Sequence, residues 1–294
     1  MPTFGDSTVS VCTPVYNGSD YIEESIRSIL AQTYPNFQLI VCDNCSTDNT
    51  AEIVRSISDP RIVYFRNEKN LGLVGNANRC LEHADGDYIH ILHHDDIMQP
   101  DNLERKVRVL DAHPSVGFVH SNVGFIDQHG NDLDLTKFDA DRDYIEKGSD
   151  YFEKYILKMP IGASIFIGAV LARRDGYLKL GGFNPTIPNV NDSEMWMRML
   201  LFYDVACIGK CLVNYRLHDL MTSTAINDEE GLNIPGLQEH YKACRIVMSR
   251  SCPLGTQSRA NRARISRKEG SSSAAASSAS MGSPDRIASR RDFA

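Results

Sequence analysis

Ile91-Leu92-His93-His94-Asp95-Asp96 closes a hydrophobic run that starts at Tyr88 and ends in two adjacent carboxylates. A strand of this composition is buried, and paired Asp residues are costly in a core unless something compensates their charge. Placing them just past the strand's carboxyl end removes that cost. Open α/β sheets hold their ligands at those ends. Carboxylate oxygens there suit a hard divalent cation that also carries a diphosphate.

The flanking sequence repeats the pattern. Val9 to Thr13, Phe37 to Cys42 and Arg61 to Phe65 read as further strands. Helices are expected at Ile22–Leu30, after Thr47 or Asp48, and over Leu73–His83. Asp20 and Glu23 have the spacing of a capping box. Strand alternating with helix predicts an α/β fold, a Rossmann-like, mostly parallel sheet flanked by helices. Beyond it come a helix after Pro100, a strand at Val116–Val119 and a hairpin around Phe125–Gly130. A helix near Tyr151–Leu157, a strand near Phe166–Ala172 and a helix from Asp192 to Phe202 follow. The last elements are a short strand at Cys211–Leu217 and a helix at Leu237–Met248. This later half is less regular.

The chain has 294 residues, 42% hydrophobic and 23% charged, as in a soluble globular protein. No apolar run reaches the length of a membrane span, and no signal-like segment opens the chain, so a cytoplasmic protein is expected. Net charge is −7. From Leu254 onward eight Lys/Arg face three Asp/Glu, so residues 1–253 carry −12. An acidic body argues against general nucleic-acid binding. Ser271 to Ser283 is nearly all Ser, Ala and Gly, so residues 253–294 are expected to form a disordered, low-complexity tail. Its arginines leave peripheral membrane contact open, an ordinary solvated end being the favoured reading. Among eight cysteines, Cys42-x-x-Cys45 has no matching second pair, so reduced thiols are expected rather than a structural zinc site.

Four segments fall at strand ends: Thr13-Pro14-Val15-Tyr16-Asn17, Asp43-Asn44-Cys45-Ser46-Thr47-Asp48, Asn70-Leu71-Gly72 and Leu92-His93-His94-Asp95-Asp96. In this order they resemble glycosyltransferase family 2, which has the GT-A fold, from about Val9 to Ser223. The resemblance implies a GT-A domain over 1–252, with a nucleotide-sugar-binding half to about 125 and an acceptor and catalytic half from about 126. It implies an inverting, non-processive transfer from a nucleoside-diphosphate sugar to a saccharide or lipid-linked hydroxyl acceptor, with Mn²⁺ or Mg²⁺ as cofactor. The family's processive members carry a Gln/Arg-x-x-Arg-Trp element, whereas the only tryptophan here is Trp196.

Residue by residue, Asp43 matches the acidic residue that reads the base, and its bland alternative is a helix cap. Thr13, Pro14 and Tyr16 match the loop around the nucleoside. Asn70, Gly72, Asn78 and Arg79 lie at the mouth and on the face of the next helix, where backbone N–H groups favour phosphate. His93 stands at the first Asp of the family's Asp-x-Asp motif, and Asp95 at the metal-binding second. Imidazole tilts such a site toward Mn²⁺. His93 and His94, both matched to the donor-binding side, alternate across the strand, so both cannot face one ligand and a paired-His zinc site is not expected. Asp96 reads as a loop anchor or as a cap for the helix after Pro100. Asp192 matches the catalytic base, with an N-cap as its alternative, while Asn191 replaces an acidic neighbour. His218 in Tyr215-Arg216-Leu217-His218 resembles a late His that completes the metal shell or assists the leaving diphosphate. A sugar nucleotidylyltransferase and a nucleotide-sugar binder without turnover remain as alternative functions.

Overall fold

The computed structural model describes residues 6–137, 140–158, 165–188 and 191–218. The expected helix at Leu237–Met248, Ser223 and the tail from 253 lie outside the described residues. The first half alternates strand and helix: β1 (Val9–Val15), α1 (Ile22–Leu30), β2 (Phe37–Asp43), α2 (Thr50–Ser56), β3 (Ile62–Arg66), α3 (Gly72–His83) and β4 (Tyr88–Ile91). Then come β5 (Ile97–Met98), α4 (Asn102–Ala112), β6 (Val116–Ile126), β7 (Asp132–Lys137), β8 (Tyr144–Glu146) and α5 (Gly148–Lys158). A 3-10 turn at Ile167–Ala169 leads to β9 (Leu171–Arg173), α6 (Arg174–Leu180), α7 (Asn191–Leu200) and β10 (Asp204–Arg216).

All ten strands join one sheet, ordered β3-β2-β1-β4-β9-β6-β10-β5, with β7 beside β6 and β8 beside β10. The strands β3, β2, β1 and β4 are parallel, as their alternation with helices requires. Later the sheet becomes mixed. β9 runs antiparallel to both β4 and β6, and β10 runs parallel to β6. Two successive reversals leave β10 pointing the same way as β4. Their carboxyl ends therefore share one edge of the sheet, although more than a hundred residues separate them.

Each face of the sheet is covered. Val9, Val11 and Val15 pack with Ile22, Ile26 and Ile29 of α1 and with Leu103, Val107 and Leu110 of α4. Cys12, Ile40, Ile89 and Ile91 pack on the other side with Val74, Ala77 and Cys80 of α3 and with Met195, Trp196 and Met199 of α7. This alternation along the strands is the two-residue period expressed as two cores. Cys12, Cys42 and Cys80 are buried free thiols.

Several local expectations change. Helix α1 starts after Tyr21 with no side-chain cap, so Asp20 and Glu23 form no capping box. The segment expected as a strand at Phe166–Ala172 divides into the 3-10 turn and β9. The expected strand at Cys211–Leu217 is the second part of a much longer one, β10, whose register shifts between Ile208 and Cys211.

Gly86, just ahead of β4, lets β1 approach closely. A Cβ there would meet the Ser10 backbone nitrogen at 2.6 Å, while the Gly86 N–H donates to the Ser10 Oγ at 3.0 Å. Gly86→Ala is expected to destabilise the fold by roughly 1–3 kcal/mol, the usual range for forced overpacking. Urea unfolding, with a lowered midpoint and an unchanged slope, checks it.

Candidate active site

Side-chain bonds fasten the loops after β1 and β2 to each other. The Asn17 N–H donates to Ser46 Oγ at 2.9 Å, and the Thr47 N–H donates to Asn17 Oδ1 at 2.8 Å. Asp48 accepts from the Ser19 N–H at 3.0 Å and from the Thr50 N–H, also at 3.0 Å, so it joins the first loop to the start of α2. Asp43 is fully buried at the end of β2. It accepts from the Ser46 N–H at 2.7 Å, from the Tyr64 hydroxyl and from Arg66 at 3.1 Å. Thr13 and Pro14 are buried on β1, and Thr13 Oγ1 has no hydrogen-bond partner among the described residues. Tyr16 is exposed beside them.

An asparagine network frames the next mouth. The Asn44 amide donates to Asn70 Oδ1 at 2.8 Å, which also accepts the Gly72 N–H at 2.8 Å. Gly72 has a φ of 74°, a left-handed conformation that disfavours any side chain, and it opens α3. Asn67 and Asn76 extend the network to the backbone of β1 and β2. Asn78 bonds Phe183 in both directions: its amide donates to the Phe183 carbonyl at 2.9 Å, and its Oδ1 accepts the Phe183 N–H at 2.8 Å. Arg79 is exposed and paired with Glu82.

Past β4 the chain turns through His93 to Asp96. The strand stops at Ile91, so His93 and His94 occupy the turn and strand alternation no longer governs them. His94 packs against the first loop, where a Cβ on Gly18 would lie 2.4 Å from its ring. Burial holds the His94 imidazole below its usual pKa. Donor atoms of His93, Asp95 and Asp96 lie within 4.8 Å of one another. Asp96 is fully buried, and its Oδ1 accepts the Arg216 N–H at 3.2 Å. Asp95 Oδ2 lies 3.1 Å from His218 Nε2. The other oxygens, Asp95 Oδ1 and Asp96 Oδ2, are buried without a hydrogen-bond partner among the described residues.

The two carboxyls titrate in opposite directions. Burial, then the charge of Asp95, pushes Asp96 well above the usual carboxylate range. Burial also works to raise Asp95, but the adjacent His94 and His93 and the bond to His218 bring it below that range. Unpartnered carboxylate oxygens converging with an imidazole are donors that a divalent cation satisfies, so the residues present fit such an ion. Asp96, expected as a loop anchor, both anchors and adds a donor. His218 approaches through Asp95 and stands outside the three-residue group.

Arg216, a position without an expected role, is a buried charge at 1% exposure. Its Nε donates to the Asp95 carbonyl at 2.9 Å, its Nη1 to the Asp127 carbonyl at 3.3 Å and its Nη2 to Glu24 at 2.6 Å. It also lies over the Tyr21 ring, which in turn meets the His218 ring at a 4.9 Å centroid distance. An arginine ending the apolar run Leu212-Val213 was the available signal; its partners, far away in sequence, were not.

Asp192 lies in the first turn of α7, half-buried, and its Oδ1 accepts the Ser193 N–H at 2.7 Å. Several bonds fix that helix. The Trp196 indole donates to the Ile165 carbonyl at 3.1 Å. Arg198, paired with buried Glu194 at 2.7 Å, donates to the carbonyls of Leu180 and Gly182, each at 2.6 Å. The Gly181-Gly182-Phe183 turn is therefore tied to α7 by Arg198 and to α3 by Asn78.

Solved structures share this architecture. S. aureus TarS residues 1–349 in complex with UDP-GlcNAc superposes with a TM-score of 0.63 at 19% identity, covering 82% of this chain and 65% of that one, so the chain spans slightly under two-thirds of its length. Mannosyltransferase PcManGT from Pyrobaculum calidifontis, in complex with GDP-Man and Mn²⁺, gives 0.55 at 18% identity, covering 89% of this chain and 80% of that one. The sheet and its flanking helices define a protein of the GT-A type. The family model for glycosyl transferase family 2 matches residues 10–180, and the chain belongs to that family; it is a glycosyltransferase. An uncharacterized glycosyltransferase of Rickettsia typhi is 32% identical over 223 residues, which is 76% of this chain and 68% of that protein. The Escherichia coli UDP-Glc:alpha-D-GlcNAc-diphosphoundecaprenol beta-1,3-glucosyltransferase WfgD is 41% identical over 105 residues, 36% of this chain and 42% of that protein.

Asp48 provides a test of loop anchoring. Burial opposes its ionisation, yet bonds from Thr50 and Ser19 outweigh it and hold the carboxyl at about 2. A depressed folded-state pKa stabilises the fold fully above the unfolded value of about 4, and that contribution is lost as pH falls toward 2. Asp48→Asn is expected to lower stability at pH 7, with the deficit shrinking below pH 4. Chemical denaturation at pH 7, 4 and 2.5 checks the narrowing gap.

Proposed function

We propose that the chain transfers one sugar residue per encounter from a nucleoside-diphosphate sugar to a hydroxyl acceptor, inverting the anomeric centre. The observation that carries this reading is the convergence of His93, Asp95 and Asp96, with two unpartnered oxygens, just past β4. A divalent cation held there by Asp95, Asp96 and His93 would neutralise charge developing on the leaving diphosphate. The donor then lies along the ends of β1, β2 and β4, with the backbone at Gly72 and the start of α3 favouring its phosphates. Asp43 and the loop at Thr13, Pro14 and Tyr16 face the nucleoside end; for Asp43 to meet a base, its bonds to Tyr64 and Arg66 must rearrange. Asp192 takes the proton from the acceptor hydroxyl as the oxygen attacks the anomeric carbon from the side opposite the leaving group.

The nucleotide-sugar complexes of TarS and PcManGT support the donor class, and Mn²⁺ in the latter supports the cation. The name of WfgD favours a lipid-linked saccharide acceptor and a role in polysaccharide or glycoconjugate synthesis. A cytoplasmic site of action, peripheral to a membrane, suits such an acceptor; no helix among the described residues is long and apolar enough to cross one. We take residues 1–252 as the transferase and 253–294 as an appended tail.

A screen of UDP-, GDP- and dTDP-sugars with Mn²⁺ or Mg²⁺, read by released nucleoside diphosphate, tests the activity. Release of pyrophosphate instead would identify a nucleotidylyltransferase, and donor binding without turnover would identify a binder. Asp192→Asn is expected to lower kcat roughly 10²- to 10⁴-fold with donor Kd unchanged. Weakened binding with intact kcat would remove Asp192 from the base role. Asp95→Ala should abolish the cation-dependent part of donor binding, measured by calorimetry with and without Mn²⁺; an unchanged Kd in Mn²⁺ would count against a cation at this turn.

A further inference from the structure

We propose that Arg216 is a positioning residue that holds the Asp95–Asp96 turn in the geometry that accepts the divalent cation. The proposal rests on the cation reading of that turn given above.

The guanidinium is planar and offers its N–H donors in a fixed fork. Here it is buried and every direction of the fork is used. Nε grips the Asp95 carbonyl, Nη1 the Asp127 carbonyl beyond β6, and Nη2 the Glu24 carboxylate on α1. The backbone N–H of the same residue donates to Asp96 Oδ1. One side chain thus pins the turn between two acidic residues to three other elements. The turn needs such a tie, because two carboxyl groups side by side, each with a buried oxygen that has no hydrogen-bond partner among the described residues, must be held in place by groups around them. The face of Tyr21 completes the arrangement, with Arg216 at 4.8 Å and His218 at 4.9 Å. His218, two residues past Arg216, reaches Asp95 Oδ2 and leaves Oδ1 without a partner. Fixing Arg216 therefore sets both which oxygen of Asp95 is available and where Asp96 points.

Lysine cannot reproduce the fork, and methionine keeps the buried stem without any donor. Arg173 is the control. It donates to the carbonyls of Val116 and Leu110 at 2.8 and 2.6 Å, and its partner in the sheet is Tyr88, at the opposite end of β4 from the turn. The experiment measures three quantities on the full chain for Arg216→Lys, Arg216→Met, Glu24→Gln and Arg173→Lys: thermal midpoint, Mn²⁺ affinity without donor by electron paramagnetic resonance, and amide exchange in peptides spanning 92–98. Arg216→Lys and Arg216→Met are expected to lose roughly tenfold or more in Mn²⁺ affinity, as partners behind metal ligands do, with faster exchange at 92–98. Glu24→Gln should move both in the same direction by less, and it decides the matter if the Arg216 variants do not fold. Arg173→Lys should lower the midpoint alone. Arg216 variants that lose stability as Arg173→Lys does, yet keep Mn²⁺ affinity and exchange within about twofold of the parent, overturn the proposal. A parent that takes up no Mn²⁺ refutes the cation reading itself; unchanged exchange at 92–98 then also overturns the clamp, and accelerated exchange upholds it.

Discussion

Two neighbouring carboxyls at the end of a buried strand are costly to charge together unless positive charge lies beside them, and the groups around this turn answer that constraint. The neighbouring His94 and His93 and the bond to His218 bring the Asp95 carboxyl below its usual range, against the effect of burial. Asp96 is driven toward its neutral form by burial and by that neighbour. The groups that surround the pair come from different regions of the chain: His93 and His94 from the turn itself, Arg216 from the end of β10 and His218 just after it, with Glu24 of α1 holding Arg216. They meet only because β9 reverses direction between β4 and β6, which brings the end of β10 to the same edge of the sheet.

Much of this was legible in the residues. The period-two alternation of Val9, Val11 and Val15, and the helical spacing of Ile22, Ile26 and Ile29, are strong local signals, and the first half follows them closely. Asp95 was readable because carboxylates after a buried strand need a reason to be there. Elements of two or three residues, such as β5 and β8, carry too little pattern to register. β10 was shortened in the reading because its register shift near Gly209 breaks the alternation. The capping box at Asp20 failed because spacing alone does not ensure that a side chain turns back on its helix.

The positions that sequence left unread depend on contacts between distant segments. Arg216 has partners at 24, 95, 96 and 127, none within 80 residues of it in the chain. Asn78 was placed at a ligand mouth, yet its amide bridges to Phe183, and that bridge is invisible until α3 and the Gly181-Gly182 turn are side by side. His93 and His94 do not alternate across a strand for a simpler reason: β4 ends at Ile91, one residue before the apolar run does.

The location of β9 has a bearing on how the chain assembles during synthesis. Until residue 173 leaves the ribosome, β4 and β6 lack the strand that joins them, and each presents an open hydrogen-bonding edge. A nascent chain halted near residue 125 holds a parallel four-stranded layer whose border strand, β4, is apolar and unprotected. Such an intermediate is prone to pairing with another chain. The segment that joins β4 to β6 is thus synthesised after both of them.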